Sequence, residues 1–158
     1  MRGYLAQTPE MPEPYEPEYR AWAGELERYM FNADSLAEML LVGHSCGGGF
    51  LLRWLSDHTD VSVRRVVLVA PWIDPYRNRC VPGFFDFKID QALTARTDLH
   101  ILYSDNDTPE VESSVQTILD TLPTIQQHFM PGRQHFTADS LGSVEFPELR
   151  DIVLGLVS

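Results

Sequence analysis

At 158 residues, 44% hydrophobic and 22% charged, the chain has the length and composition of a single globular domain, residues 1–158, with a proper core. Twelve basic against 23 acidic side chains leave a formal net charge of −11, which opposes nucleic acid and anionic membrane surfaces and sets both aside as partners. No apolar run is long enough for a membrane span or a secretory signal, so a cytoplasmic location is expected. The two cysteines, Cys46 and Cys80, build no disulfide framework and lack metal-ligand spacing with the histidines.

Met1 to Ala6 reads as a strand leading into residues 8–18, whose four prolines and four glutamates exclude a helix or central strand and leave an extended surface connection. From Tyr19 to about Met30, the positions of Trp22, Leu26, Tyr29 and Met30 predict an amphipathic helix, followed by a turn at Asn32-Ala33-Asp34. Met39 to Val42 are consecutive apolar residues, as in a strand buried on both faces. They run into Gly43-His44-Ser45-Cys46-Gly47, after which Phe50, Leu51, Leu52, Trp54 and Leu55 form a helical stripe ending near His58.

Val63 to Ala70 is rich in β-branched residues and predicts a second buried parallel strand. Residues 71–97 are irregular and carry Trp72, Tyr76, Phe84, Phe85 and Phe87. They follow a strand C-terminus, where open α/β sheets place ligand crevices, and read either as a pocket rim or small lid or as satellite packing against the sheet. A third strand, Leu99 to Tyr103, enters the Ser104-to-Pro109 loop and a helix bearing Val111, Val115, Ile118, Leu119 and Leu122. A fourth strand, about Ile125 to Met130, leads into Pro131-to-Phe136, and a closing helix spans about Pro147 to Leu156 with Leu149, Ile152, Val153 and Leu156 on its apolar face. Strand alternating with helix predicts an α/β fold of three layers, a mostly parallel sheet with helices on both faces.

Gly-x-Ser-x-Gly between a strand and a helix is the context of a nucleophile elbow, where Ser45 Oγ stands above the sheet edge. The residues two before and two after it must then be small, a demand that Gly43 and Gly47 meet. The Cys46 backbone N–H, at the start of the helix, would face a developing oxyanion. The plainer reading is a glycine turn that lets strand and helix pack closely.

A serine hydroxyl needs a base, and the base a partner that fixes its tautomer. Asp107 follows the third strand and His135 the fourth, so the chain order is Ser, acid, His, and all three gather at one edge of a parallel sheet. Asp105 lies two residues away in the same loop and is as easily a turn residue bonding its own backbone; Asp107 lies deeper, with helix N-capping as its other role. Of the remaining histidines, His44 occupies a variable position of the motif, His58 ends a helix, and His100 and His128 fall in strands. Cys46 is a small helix-start residue, with rival nucleophile or oxidisable thiol as the minor readings.

Several segments in order, namely Met11-Pro12-Glu13-Pro14 followed by Trp22, Val42-Gly43-His44-Ser45, Val67-Leu68-Val69, Gly83-Phe84-Phe85, Ser104 to Asp107 and Gly132 to Phe136, resemble the α/β-hydrolase superfamily, and within it the small serine hydrolases of the RBBP9/YdeN type. The resemblance implies a compact hydrolase acting on small esters or amides without metal or cofactor, with Ser45, Asp107 and His135 as its triad. Family members open with a strand, a glycine-bearing loop giving the second oxyanion N–H, and a helix. The resemblance therefore also implies an N-terminally incomplete fold, lacking a strand-loop-helix unit of roughly 30 residues. An unpaired sheet edge would follow, with self-association through it, and the competing expectation is a catalytically impaired, hydrolase-like binding module.

Overall fold

The computed structural model describes residues 4–31, 36–78 and 81–156. Residues 1–3, Cys80 and the turn expected at Asn32-Ala33-Asp34 lie outside them. Tyr4 to Ala6 form no strand; no neighbouring strand pairs with them among the described residues, and Tyr4 instead meets the Arg64 guanidinium through its hydroxyl at 3.1 Å. The proline segment is extended as expected and is pinned where Trp22 Nε1 donates to the Pro12 carbonyl at 2.7 Å.

Helix α1 (Tyr19–Phe31) begins where the Glu18 carboxylate accepts from the Arg20 and Ala21 N–H groups, satisfying donors that have no partner within the helix. Its Trp22, Ala23, Leu26 and Met30 are buried. The sheet that follows has four strands, β1 (Leu40–His44), β2 (Arg65–Val69), β3 (Asp98–Tyr103) and β4 (Gln126–Phe129), in spatial order β1-β2-β3-β4. Every pair is parallel, with Val42 opposite Val67, Val67 opposite His100 and Leu102 opposite His128. Helices α2 (Cys46–Asp57), α3 (Leu93–Arg96) and α4 (Pro109–Thr121) provide or precede the crossovers, and α5 (Ala138–Leu141) and α6 (Pro147–Leu154) follow β4.

Val66, Val67, Leu68 and Val69 are buried in succession, so both faces of β2 are covered, as a central parallel strand requires. β1 differs. It is an edge strand, and Val42 is 46% exposed, which corrects the expectation of burial on both faces: an apolar run does not say whether a strand is central or peripheral. The closing helix is shorter than expected. Gly155 stops α6 in the left-handed conformation (φ 69°), its N–H returning to the Asp151 and Ile152 carbonyls, and Leu156 lies exposed beyond it.

Among the described residues of 71–97 the single turn of α3 is the only regular element, but several of their side chains are firmly seated. Phe84 and Phe85 are buried, Phe84 meets Trp22 edge-to-face at 5.1 Å, and Trp72 meets Phe85 in the same way at 5.1 Å. Arg53 of α2 stacks over the Tyr19 ring at 3.5 Å and donates to the Phe84 carbonyl at 2.6 Å and to that of Gly83. One guanidinium thus joins α1, α2 and this segment.

Candidate active site

Ser45 lies between β1 and α2 with φ 54° and ψ −121°, a backbone state that a non-glycine residue holds only when its surroundings over-determine it. They do. Ser45 N–H donates to the Val69 carbonyl at 2.9 Å, and the Ser45 carbonyl accepts from Gly48, Gly49 and Trp72 N–H at 3.0, 3.1 and 3.0 Å. A Cβ at Gly43 would stand 2.5 Å from the Gly47 carbonyl oxygen, so the requirement for a small residue before the serine is real. At Gly47 an added Cβ meets nothing within 4 Å, whereas at Gly49 it would fall 1.9 Å from the Trp72 carbonyl oxygen. The steric demand expected at Gly47 is therefore met two residues later, at Gly49, where α2 presses on the residue-72 backbone.

The loop after β3 fastens the loop after β4. Ser104 Oγ accepts from Arg133 N–H at 2.9 Å, Asp105 Oδ1 from Gly132 N–H at 2.8 Å and Asn106 Oδ1 from Gln134 N–H at 2.8 Å. Gly132, Gln134 and Phe136 all have positive φ, at 73°, 48° and 53°, and these bonds hold that alternation in place. His135 is thereby set with Nδ1 at 2.8 and 3.0 Å from the two Asp107 oxygens and Nε2 at 2.9 Å from Ser45 Oγ.

An ionised carboxylate only accepts, so the proton of the neutral ring lies on Nδ1 and Nε2 accepts from the serine hydroxyl. The Asp107 side chain is 2% exposed and that of His135 29%. Among the described residues no Arg or Lys pairs with Asp107. Asp107 Oδ1 also accepts from Thr108 N–H at 2.7 Å, while the N-cap position of α4 is Thr108, whose carbonyl accepts from the Val111 and Glu112 amides. Asp107 is thus not the cap of that helix, and Asp105 does not reach the imidazole.

The other sequence candidates fall into place by contrast. Burial pushes the Cys46 thiol up to about 12, so it stays protonated at neutral pH and is no competitor for Ser45. Among the described residues no group accepts from the Cys46 backbone N–H, the first amide of α2. His58 Nδ1 lies 2.7 Å from the Trp54 carbonyl. His100 and His128 contact each other at 2.9 Å through Nδ1 and Nε2, and His100 Nε2 lies 3.0 Å from Asp98, at the opposite end of β3 from Asp107.

His44 is the residue that the sequence reading passed over: its Nε2–H donates to the His135 carbonyl at 2.7 Å. No spacing rule reveals that contact, which spans 91 positions. Ser104 and Asn106 do carry a signal, since a run of short polar side chains favours bonds to backbone amides.

An open groove of about 750 Å³ runs along Ile73, Phe85, Phe87 and Ile89 between the ends of α2 and α4, and neither Ser45, Asp107 nor His135 lines it. No group of three His, Cys, Asp or Glu side chains among the described residues is placed to hold a metal ion. No helix among them is long and apolar enough to cross a membrane.

A family model described as serine hydrolase matches residues 4–148. Comparison with curated proteins returns no match. Among solved structures, a predicted CIB-like hydrolase from Thermoplasma acidophilum is similar at 19% identity and a TM-score of 0.57, over 88% of this chain and 59% of that one. An alpha-beta serine hydrolase homologue from Coxiella burnetii gives 19% and 0.57 over 89% and 60%. A carboxylesterase structure from Nitrososphaera gargenis gives 11% and 0.60 over 92% and 74%. At these identities the structures establish the shared α/β-hydrolase fold, and the chain spans about three fifths of the length of the first two. With 145 of 158 residues matched by the family model, and an elbow serine, a histidine and a buried aspartate joined at one sheet edge, the chain belongs to the serine hydrolase family.

Proposed function

We propose that this protein cleaves small carboxylic esters or amides through an acyl-enzyme formed on Ser45. The observation that carries the proposal is the unbroken series Asp107, His135, Ser45, with contacts of 2.8 and 2.9 Å and a carboxylate buried without a countercation. Ser45 Oγ attacks the substrate carbonyl carbon as its proton passes to His135 Nε2, giving a tetrahedral oxyanion that would accept from the Cys46 N–H at the start of α2. His135 returns the proton to the leaving alkoxide or amine as the C–O or C–N bond breaks. Water, deprotonated by the same imidazole, then attacks the acyl-enzyme, and Ser45 recovers its proton as the carboxylic acid departs. Asp107 holds the tautomer throughout and offsets the charge of the imidazolium. Trp72 borders this site, its N–H bonded to the Ser45 carbonyl.

The test is labelling with a fluorophosphonate probe, followed by hydrolysis of short p-nitrophenyl esters. The wild type is expected to label and turn over, and Ser45→Ala to lose both, with a fall in rate of about 10⁴-fold or more. A folded protein that resists labelling would favour the second reading, a hydrolase-like interaction module. That reading draws its support from β1, whose outer edge is unpaired among the described residues and so offers N–H and C=O groups to a second copy of the chain.

A further inference from the structure

We propose that His44 is a positioning residue, a clamp that sets the base His135 against the nucleophile; the inference rests on the Ser45 and His135 reading above. The loop that carries His135 alternates into the left-handed region at Gly132, Gln134 and Phe136, and its amides up to Gln134 are taken by Ser104, Asp105 and Asn106. Those three bonds all lie on the N-terminal side of His135. The carbonyl of His135 itself, immediately before the left-handed Phe136, is held by His44 Nε2–H at 2.7 Å, and no other described side chain bonds it.

The two imidazole rings are 4.8 Å apart between centroids, inclined at 50°. Since His44 directly precedes Ser45, two consecutive residues grip the base at two points, Ser45 Oγ at the ring nitrogen and His44 at the backbone. The distance between nucleophile and base is then governed by a short rigid segment at the end of β1. Displacing reacting groups by about 1 Å can cost on the order of 10²-fold in rate, so such a grip bears on the chemical step more than on substrate binding.

The donor must be present in the neutral ring. Burial lowers the proton affinity of His44, as does the neighbouring His135, while the His135 carbonyl and Asp107 raise it; the net effect is a pKa below the ordinary histidine value. A neutral His44 supplies the N–H without setting a second positive charge beside the His135 imidazolium. Asp107 and His135 are the titratable groups that face it.

The experiment compares His44→Phe, which keeps a ring and loses the donor, with His44→Gln, whose amide reaches the same place. We expect His44→Phe to lower kcat for p-nitrophenyl ester hydrolysis and the rate of fluorophosphonate labelling about 10- to 100-fold, with KM and the thermal midpoint nearly unchanged. His44→Gln should restore the rates to within about threefold. A second readout needs no turnover: the far-downfield proton NMR signal of His135 Nδ1–H bonded to Asp107, expected in the wild type and in His44→Gln and broadened or shifted in His44→Phe. Wild-type rates in a folded His44→Phe, or equal losses in both variants, would overturn the clamp. If the wild type itself fails to label, the nucleophile reading falls, and the NMR comparison still decides the clamp, because an unchanged signal in His44→Phe refutes it.

Discussion

Among the described residues the sheet carries a histidine-aspartate pair at each end, and only one of them faces a serine hydroxyl. At the C-terminal end of β3 and β4, the Asp107 side chain is buried with no Arg or Lys paired to it among the described residues, and His135 bridges it to Ser45 Oγ. At the other end Asp98 is held by the Arg65 guanidinium at 2.6 Å, His100 lies against both Asp98 and His128, and Arg65 goes on to donate to the Ile152 carbonyl at 2.6 Å. The second array is closed: every member has a partner, and the charge of Asp98 is compensated by Arg65. The first ends on a hydroxyl and keeps its negative charge for an imidazolium. A carboxylate-imidazole contact is therefore not what marks a site; the open end and the missing countercation are.

Replacing each carboxylate in turn tests that contrast most severely. Asp107→Asn should reduce ester hydrolysis by about 10⁴-fold with the fold intact, because the amide no longer selects the Nδ1–H tautomer. Asp98→Asn should leave the rate within about twofold and instead lower stability by roughly 0.5–1 kcal/mol, by removing the charge that pairs with Arg65; urea unfolding beside steady-state kinetics separates the two. An Asp98→Asn enzyme with a large rate defect and normal stability would erase the distinction.

A smaller effect is expected from the backbone at the elbow end. Gly49→Ala forces a Cβ to within 1.9 Å of the Trp72 oxygen, and should cost roughly 2–4 kcal/mol in chemical denaturation. Gly47→Ala enters open space and should be neutral or stabilising by up to about 1 kcal/mol. Equal destabilisation by both would mean that the motif glycine is as sterically constrained as Gly49.

The smallest effect belongs to pH. Burial lowers the pKa of both His100 and His128 below the ordinary histidine value, with Asp98 opposing this at His100. The folded chain thus binds fewer protons here than the unfolded one. The associated stability is complete above about pH 6.5 and declines as the pH falls below it. A urea midpoint that drops between pH 7.5 and 5.5, and drops less in His128→Gln, is the expected result, and an unchanged pH dependence in that variant would remove the second array from the account.

Much of this was legible in the chain because the patterns concerned are local. Strand, turn and helix alternate with clear punctuation, and the positions of Ser45, Asp107 and His135 after β1, β3 and β4 put all three at the same end of a parallel sheet. What escaped depends on non-local geometry. The apolar run at Met39 to Val42 does not distinguish a central strand from an edge, and the crowding at Gly49 requires knowing where the residue-72 backbone passes. The bond from His44 to the His135 carbonyl arises from a loop whose path is bent by three left-handed residues. Asp105 and Asp107 are indistinguishable by type and loop, and only the direction in which each side chain leaves the loop separates them.

The contact between Trp72 and the elbow also bears on redesign. Trp72 N–H holds the Ser45 carbonyl, while its own carbonyl presses on Gly49, so the segment bordering the site and the nucleophile share one piece of backbone. Loop grafting from residue 71 onward, an obvious route to new substrate range, would loosen the turn that keeps Ser45 at positive φ. Exchanges that begin after Asp74 leave that joint untouched, which places the practical boundary for engineering this segment five residues beyond the end of β2 at Val69.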